Sequence, residues 1–157
     1  MAVSWGGICC SEPPCVAISV RSSRQTFKNL IANEAFTVNI PPEKYVHETD
    51  YAGIYSGKDE NKFERLWLTP VHAEIVDAPY VEEFPLNLMC KVIKTIPIGI
   101  HIQFIGEILD IKADEEFLSN KGLPEIEKMK PFIYDSASRR YFSVGNPIIK
   151  AYTALKR

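Results

Sequence analysis

A β-strand that runs directly into a helix, near the start of this chain, is the feature that most limits how it can fold. Residues 14–21 alternate between apolar positions and small or polar ones, a period of two typical of a strand with one buried face. From Phe27 onward the apolar spacing becomes that of a helix. Ser22 and Gln25 fit a capping box that would open this helix. The segment therefore predicts a strand, a short turn and a helix whose N-terminus lies at the end of the strand.

The same segment has the composition of an anion site. A helix N-terminus presents free backbone N–H groups and a partial positive charge, which suit a phosphate. Arg21 and Arg24 would add forked donors and Thr26 a hydroxyl. Most capped helices bind nothing, however, and surface arginines are usually solvated. From these residues alone, a phosphate site and a plain helix cap both remain open.

The length, composition and net charge of the chain are those of one ordinary globular domain. Of 157 residues, 46% are hydrophobic and 24% are charged, with a net charge of −2. That charge gives no electrostatic reason to expect nucleic acid or an anionic membrane as a partner. No apolar run approaches the ~20 residues that span a bilayer, and the N-terminus lacks the features of a secretory signal. We expect a single cytoplasmic domain over residues 1–157, without nucleic-acid or membrane partners.

The cysteines do not indicate a metal site. Cys9, Cys10, Cys15 and Cys90 lack the paired C-x-x-C spacing of structural zinc and of many iron–sulfur sites. They do not make a disulfide framework for a chain of this size, and reduced thiols in a cytoplasm are the simpler interpretation. We expect Cys15 and Cys90 to pack as small hydrophobic residues.

The rest of the chain is mainly β. Strand-like alternation occurs in further runs at residues 36–40, 68–76, 84–98, 99–111 and 140–144. Gly106 predicts a bulge or the close approach of another backbone. Residues 50–58, with two glycines and two tyrosines, predict an ordered loop. The pattern indicates a mainly antiparallel β domain with a few short helices, which points to a barrel.

Short motifs spread along nearly the whole chain keep the order and rough spacing of one protein family. They are Cys10-Ser-Glu-Pro-Pro14, Ser19-Val-Arg21 with Thr26, Phe36-Thr-Val-Asn39, Asp50-Tyr-Ala-Gly53 with Ser56-Gly57 and Lys62-Phe63, Gly99-x-His101-x-x-Phe104-x-Gly106-Glu107, and Tyr141-x-x-x-Gly145. Together they resemble the flavoredoxin and flavin reductase-like proteins. The resemblance implies an antiparallel, Greek-key split β-barrel that binds FMN.

One departure from the family concerns the beginning of the sequence. Members usually open with another strand, which runs into the region that begins here at Met1. Residues 1–5 resemble the middle of that opening hairpin, so the resemblance implies that the family's opening strand is missing. Losing an early strand would expose a sheet edge with unpaired backbone groups. We therefore expect the natural polypeptide to be longer.

The resemblance also implies where FMN is held. Carried onto this chain, the family's contacts fall on Arg21, Arg24 and Thr26 at the phosphate, on Ser4, Trp5, Cys10 and Ser11 along the ribityl chain and isoalloxazine ring, and on Ser56 and Lys62 from the loop. The phosphate residues agree with the anion site described above. Two alternatives stay open: Arg24 as an exposed helix residue, and Trp5 as a core or interface aromatic.

His101 is the ionisable residue of most interest. The family pattern places a histidine near the outer flavin face, which implies a role beside the substrate or nicotinamide. A partly buried, hydrogen-bonded histidine is the open alternative. No Ser-His-Asp or paired-carboxylate constellation is visible, and a flavin needs none, since it carries the redox chemistry itself. We therefore assign no catalytic residue.

The resemblance implies an FMN-binding oxidoreductase of the NAD(P)H:flavin type. It would pass electrons from NAD(P)H or a protein donor through the bound flavin to an acceptor. The alternative is a flavoredoxin-like electron carrier without a small-molecule substrate of its own, and a third possibility is a cofactor-free binding module. A homodimer is expected, because the family's site lies near the subunit interface and the barrel edge needs cover.

Overall fold

The computed structural model describes residues 1–153, which build one large antiparallel sheet with helices and two small hairpins around it. The strands are β1 Gly6–Ser11, β2 Pro14–Arg21, β3 Ala35–Ile40, β4 Pro70–His72, β5 Pro79–Val81, β6 Leu86–Ile98, β7 His101–Ala113, β8 Phe132–Asp135 and β9 Arg140–Ser143. The helices are α1 Gln25–Asn33, α2 Val46–Ile54, α3 Lys62–Leu66 and α4 Ile126–Met129, with 3₁₀ turns at Glu43–Tyr45 and Glu115–Phe117.

The large sheet has five strands in the order β1-β2-β7-β6-β3, and β4–β5 and β8–β9 form separate two-stranded hairpins. Every pairing is antiparallel. The prediction of a mainly antiparallel β fold with a few short helices is confirmed. The sheet stays open and is consistent with a split barrel.

The pairing of β2 with β7 forms the centre of the sheet. Its register runs without a break from Cys15 opposite Glu107 to Arg21 opposite His101. Phe104, in the middle of β7, is fully buried, and burying such a side chain contributes about 1.5–3 kcal/mol. The main core around it consists of Val16, Ile18, Val20, Leu30, Phe36, Leu88, Cys90 and Phe104.

Strand β6 is covered on both faces. Leu88 packs in the main core, whereas the next residue, Met89, packs in a second cluster with Tyr80 and three small residues of the 73–78 region. Because successive strand residues point to opposite faces, the β4–β5 hairpin and its loop cover the face that the main core leaves free. Burial raises the pKa of the Cys90 thiol to about 12, so this cysteine packs as a neutral side chain, as predicted.

Helix α1 lies against the centre of the sheet. Leu30 is buried in the main core, and the Phe27 ring packs against Phe104 with 6.0 Å between ring centroids. Glu34 ends the helix in a left-handed conformation, with φ of 49°, and its N–H donates to the Leu30 carbonyl. The strand–turn–helix arrangement predicted for this segment is thus confirmed.

Three details of the sequence interpretation are wrong. The capping box is not formed: Arg24 is the N-cap residue and makes no side-chain capping bond, and the Gln25 side chain donates instead to Asn29. The first half of the predicted loop, through Ile54, is the end of α2. In place of the strand expected over residues 68–76, the structure has the three-residue strand β4.

Over residues 1–153, no helix combines the length and the apolar character needed to cross a bilayer. The longest helices, α1 and α2, have nine residues each, whereas a spanning helix needs about 20.

Gly106 marks a close approach, although of side chains rather than of backbone. A Cβ atom at this position would lie 2.5 Å from Phe36 Cζ and 3.0 Å from Cys90 Cβ. The pairing of β7 with β2 is regular at Gly106, whereas its pairing with β6 shifts register next to Gly106, where Ile93 of β6 is the extra residue. Only a residue without a side chain lets the Phe36 ring pack at this depth.

We expect Gly106→Ala to lower the free energy of unfolding by about 1–3 kcal/mol, because the added methyl group overpacks the core against the Phe36 ring. Urea denaturation followed by circular dichroism measures this. Gly7→Ala is the matched control, since Gly7 also lies in a strand but has no atom within 4 Å of the added Cβ. A loss for Gly106→Ala no larger than that of Gly7→Ala would contradict the packing argument.

Candidate functional site

A cavity of about 570 Å³ opens at the N-terminus of α1. Its walls come from the cap and first turns of α1, the end of α2, the connection to α3 and the N-terminal residue. The lining residues are Met1, Arg24, Gln25, Thr26, Asn29, Gly53, Tyr55 and residues 56–63. Four residues predicted from the sequence are brought together here, namely Arg24, Thr26, Ser56 and Lys62.

The helix end that faces the cavity is suited to an anion. Arg24 precedes the first turn in an extended conformation, its side chain makes no capping bond, and the first turn contains no acidic residue. The N–H groups of Gln25 and Thr26 at the start of this turn have no intrahelical acceptor and carry the positive end of the helix dipole, whereas Phe27 N–H donates to the Arg24 carbonyl at 3.1 Å. Arg24 is partly buried, so it is not the fully exposed helix residue that the sequence left open.

Two lysines supply further positive charge. Lys58 Nζ donates to the Ser23 carbonyl at 2.9 Å, and Lys62 Nζ donates to the Ala52 carbonyl at 2.6 Å. Since an ammonium group has three donors, each lysine keeps N–H groups for a ligand. Burial lowers the pKa of Lys62; Glu60 opposes this shift, and the charge of Arg24 adds to it. Lys58 was missed by the sequence reasoning, where its only signal is its place after Ser56-Gly57.

Acidic residues also line the cavity, at Asp59 and Glu60. Glu60 Oε2 accepts a hydrogen bond from the Tyr51 hydroxyl at 2.8 Å, so this carboxylate is tied to α2. The three cations Arg24, Lys58 and Lys62 outnumber these two acids. The cavity therefore keeps an excess of positive charge beside the helix terminus.

A second group of predicted residues meets at one end of the large sheet. The Trp5 and His101 rings lie edge to face, with centroids 6.2 Å apart. Arg21 is exposed and is the strand partner of His101. Trp5 is 57% exposed, which rules out a place in the core of the single chain. We call Trp5, Arg21 and His101, with the neighbouring Ser4, the sheet-end group.

His101 is held by its neighbours rather than by hydrogen bonds. Its ring is partly buried, and within residues 1–153 the structure shows no side-chain hydrogen bond from it. Ile98, its strand partner at the end of β6, and Ile100, which precedes it in the β6–β7 turn, are both exposed. This combination of an aromatic edge, an imidazole and exposed apolar groups can contact a planar ligand.

Cys10 and Ser11 lie apart from both groups, at the tip of the β1–β2 hairpin. Both are exposed, and Ser11 is paired with Pro14 next to the turn. Trp5 is anchored near the other end of the same hairpin, where its carbonyl accepts from Ser19 N–H at 2.8 Å. Five residues of extended strand span about 17 Å. A ligand that touched Trp5 and Cys10 would have to run along β1.

The N-terminal residues connect the cavity to the sheet-end group. Met1 lines the cavity, and Ala2 passes so close to α2 that a Cβ on Gly53 would lie 3.4 Å from the Ala2 methyl group. Ser4 and Trp5 follow directly. The cavity and the sheet-end group are therefore neighbouring parts of one surface.

A hydrogen bond from outside the cavity holds α2 in place. The Tyr141 hydroxyl of β9 donates to Asp50 Oδ1 at 2.8 Å, across 91 positions of sequence. Burial, followed by this carboxylate, raises the pKa of Tyr141 to about 12. Both residues belong to motifs that carried the family resemblance, and the structure gives them a role in positioning α2.

Within the described part of the chain, no group of three or more histidine, cysteine or acidic side chains could hold a metal ion. The excess of cations and the free N–H groups at the start of α1 favour an anion in the cavity.

The family described as flavin reductase like domain matches residues 1–148 of the chain. Among solved structures, the flavoredoxin of Desulfovibrio vulgaris (Miyazaki F) is similar with a TM-score of 0.94 and 50% identity, over 98% of this chain and 82% of that one. The flavoredoxin from Methanosarcina acetivorans gives a TM-score of 0.92 and 31% identity, over 98% of this chain and 81% of that one.

A curated relative, an uncharacterized protein of Archaeoglobus fulgidus, is 32% identical over 126 residues. The match covers 80% of this chain and 70% of the relative. The similarity to these proteins thus extends over most of the chain, including the cavity, the sheet-end group and the hairpin tip.

We expect the stability of the protein to fall as the pH rises from 10 to 12, in part through Tyr141. A raised pKa in the folded state means that the neutral phenol stabilises the fold fully below pH 10. This contribution is lost as the pH rises through about 12. Tyr141→Phe should lower the free energy of unfolding by about 0.5–1.5 kcal/mol at neutral pH and flatten its alkaline decline.

Denaturation curves at several pH values measure this slope. Tyr55→Phe is the control, since its exposed side chain stacks on Tyr51 and its hydroxyl makes no hydrogen bond within residues 1–153. Equal alkaline slopes for the wild-type chain and Tyr141→Phe would show that the Asp50 contact does not shift the phenol.

Proposed function

We propose that this chain, which belongs to the flavin reductase-like family, is an oxidoreductase that passes electrons from NAD(P)H or a protein donor through bound FMN to an acceptor. The observation that carries the proposal is the cationic cavity at the start of α1. It lies on the same surface as an exposed tryptophan and a histidine. A flavin mononucleotide has the matching halves, a phosphate at one end and a planar ring at the other.

FMN is the cofactor of this fold, and the donor set of the cavity fits its phosphate. Arg24 offers a guanidinium fork, Thr26 a hydroxyl, and the first turn of α1 its free N–H groups. Lys58 and Lys62 add ammonium donors. We assign the phosphate to this cavity, with Ser56 on its wall and Arg21 at its approach from the sheet end.

The ring end is assigned to the sheet-end group. Trp5 and His101 present an aromatic edge and an imidazole, and Ser4 lies on the segment that leads back to the cavity. Cys10 and Ser11 would meet the flavin only along the outside of β1, through backbone groups of that strand. The histidine is then placed to contact a nicotinamide or another substrate on the open face of the ring.

When bound, FMN supplies the hydride and electron transfer chemistry. The chain's part is to bind the phosphate, to orient the ring, and to offer backbone N–H groups where negative charge develops on reduction. No residue of the chain is needed as a general acid or base, so we assign none.

A second candidate function is an electron carrier without a small-molecule substrate. The 50% identity to a protein named flavoredoxin favours it. A carrier would hold its FMN tightly and take electrons from a protein donor, whereas a reductase must also admit NAD(P)H to the ring. The two functions share the same phosphate cavity and differ at the sheet-end group.

We also infer a cytoplasmic homodimer. All six residues of the edge strand β1 are exposed, and Trp5, Ile98 and Ile100 form an apolar patch beside His101. A second copy placed on this patch would cover the apolar side chains and close the ring end of the site. The four cysteines do not make a disulfide framework for a chain of this size, which suits a reducing cytoplasm.

We expect Arg24→Ala to weaken FMN binding about ten- to a hundredfold while leaving riboflavin binding nearly unchanged. The removed guanidinium would lose a charge-assisted bond that only the phosphate can make. Quenching of flavin fluorescence on titration of the apoprotein gives both dissociation constants. Arg21→Ala should cost less, because Arg21 is exposed and lies outside the cavity lining.

Arg140→Ala is the matched control, since it removes the same charge from a residue that contacts Phe142 in β9. Equal losses of FMN and riboflavin affinity in Arg24→Ala would place Arg24 away from the phosphate. A loss in Arg140→Ala as large as that in Arg24→Ala would show a general effect of charge.

The enzyme and the carrier are separated by an absorbance spectrum of the purified protein before and after anaerobic addition of NADH or NADPH. We expect a flavin spectrum that bleaches, because the proposed oxidoreductase takes its electrons from a nicotinamide through the bound FMN. A bound flavin that stays oxidised would favour the carrier. A protein that stays colourless after incubation with FMN would overturn the proposed function altogether.

A further inference from the structure

Two cysteines face each other across the β1–β2 hairpin. Cys10 and Cys15 are directly opposite partners in the antiparallel ladder, one step from the Ser11–Pro14 pair beside the turn. Directly opposite residues of antiparallel strands have Cα atoms about 4.5–5.5 Å apart. Disulfides bridge Cα separations of about 4.4–6.8 Å. The backbone spacing therefore already permits a bond between the two sulfur atoms.

The two thiols also point to the same turn, which joins β1 to β2. Cys10 Sγ donates to the Glu12 carbonyl at 3.4 Å, and Cys15 Sγ donates to the Pro13 carbonyl at 3.3 Å. These acceptors are consecutive residues of one tight turn. Both sulfur atoms thus converge on the turn from the two strands that lead into it.

A β-bulge selects which cysteine of β1 takes part. The register of the hairpin shifts between Ile8, which is opposite Val16, and Cys10, which is opposite Cys15. Without this extra residue, the ladder that begins at Ile8 would place Cys9 opposite Cys15. Bulges are found where a strand must redirect a side chain. Here the bulge removes Cys9 from the ladder and brings Cys10 to Cys15.

The environments of the two thiols differ as in a pair with one attacking and one resolving cysteine. Cys10 is exposed, whereas Cys15 is 2% exposed. Burial raises the pKa of Cys15, and its neighbours Cys10 and Cys9 raise it further. An external disulfide can therefore reach Cys10 and not Cys15. Packing as a small hydrophobic residue accounts for Cys15, but it gives no reason for a thiol at the exposed position opposite.

The shortness of the loop favours a reversible bond over a structural one. A Cys10–Cys15 disulfide would enclose only the hairpin turn, and the stabilisation that a cross-link gives the fold decreases as the enclosed loop shortens. Because the two strands of the hairpin are already hydrogen-bonded to each other, a cross-link between them adds little to its stability. An exposed bond of this kind stays open to exchange with external thiols and disulfides.

We propose that Cys10 and Cys15 form a redox-active pair that reduces low-molecular-weight disulfides. The Cys10 thiolate attacks one sulfur of the external disulfide, which forms a mixed disulfide and releases one thiol. Cys15 gives up its proton to solvent and attacks Cys10 Sγ, which closes the intrachain disulfide and releases the second thiol. One external disulfide is reduced to two thiols while the two cysteines are oxidised to one disulfide.

The test uses the full chain as purified with its flavin, reduced, freed of reductant and exposed to glutathione disulfide without oxygen. Remaining thiols are alkylated at intervals, and the tryptic peptide of residues 1–21, which holds Cys9, Cys10 and Cys15, is analysed by mass spectrometry. We expect this peptide to lose two hydrogen atoms and two alkylation sites, without retaining glutathione. Dithiothreitol should reverse the change.

Variants at the two exposed cysteines identify the pair. Cys9→Ser leaves Cys10 and Cys15 as the only possible pair in the peptide and should close the disulfide as the wild-type chain does. Cys10→Ser should not close a disulfide at Cys15, and any glutathione that reacts should stay attached to the exposed Cys9, because the remaining partner of the pair is buried. Both positions are exposed, so both variants are expected to fold.

The proposal is overturned if Cys9→Ser no longer closes a disulfide, which would indicate a Cys9–Cys10 bond. It is equally overturned if glutathione stays attached to Cys10 in the wild-type chain, or if the bond forms between two chains. Because the readout is the state of the thiols, failure here leaves the flavin function untouched, and loss of flavin binding would not produce any of these results.

Discussion

The packing of Phe27 against Phe104 is the contact on which the position of the candidate site depends. Phe104 is fully buried at the centre of the sheet, and Phe27 is the third residue of α1. A contact so close to the start of the helix fixes its N-terminus more firmly than a contact near its middle would. Arg24 and Thr26, which directly precede Phe27, are therefore held at the cavity by this core contact. The absence of a capping side chain leaves the N–H groups of Gln25 and Thr26 free for a ligand.

A local sequence pattern predicts a helix or strand when its buried residues recur at a regular spacing within that element. Strand β2 and helix α1 were predicted because one buried face gives each a regular period. The end of α2 was predicted as a loop, since Tyr51 and Asp50 are fixed by partners outside the helix, Glu60 in the connection to α3 and Tyr141 in β9. The capping box failed for a similar reason, because the core contact of α1 sets where the helix begins.

The candidate site could be predicted in part. Arg24 and Thr26 were found from the residues themselves, because a helix start beside a strand end is visible in the sequence. The convergence of Ser56 and Lys62 on the same cavity depends on how α2 and α3 fold back, which the family resemblance implied and no local pattern encodes. Lys58 was missed because its anchor, the Ser23 carbonyl, is a backbone group 35 positions away. Every residue has a backbone carbonyl, so an amino-acid sequence does not show which carbonyl will accept a hydrogen bond from a distant side chain.

Strand β2 connects two separate candidate sites, the cationic cavity and the proposed cysteine pair. Its residues from Cys15 to Ile18, and Val20, are buried, and its pairing with β7 is regular throughout, so neither end can shift independently of the core. One end leads through Arg21 into the cationic helix start. The other end carries Cys15 into a turn that brings it opposite Cys10. The irregularity needed to aim that thiol pair lies in β1, the edge strand, where a bulge disturbs only one ladder. A bulge in β2 would have altered the pairing with β7 as well, and with it the register that holds Arg21 beside His101.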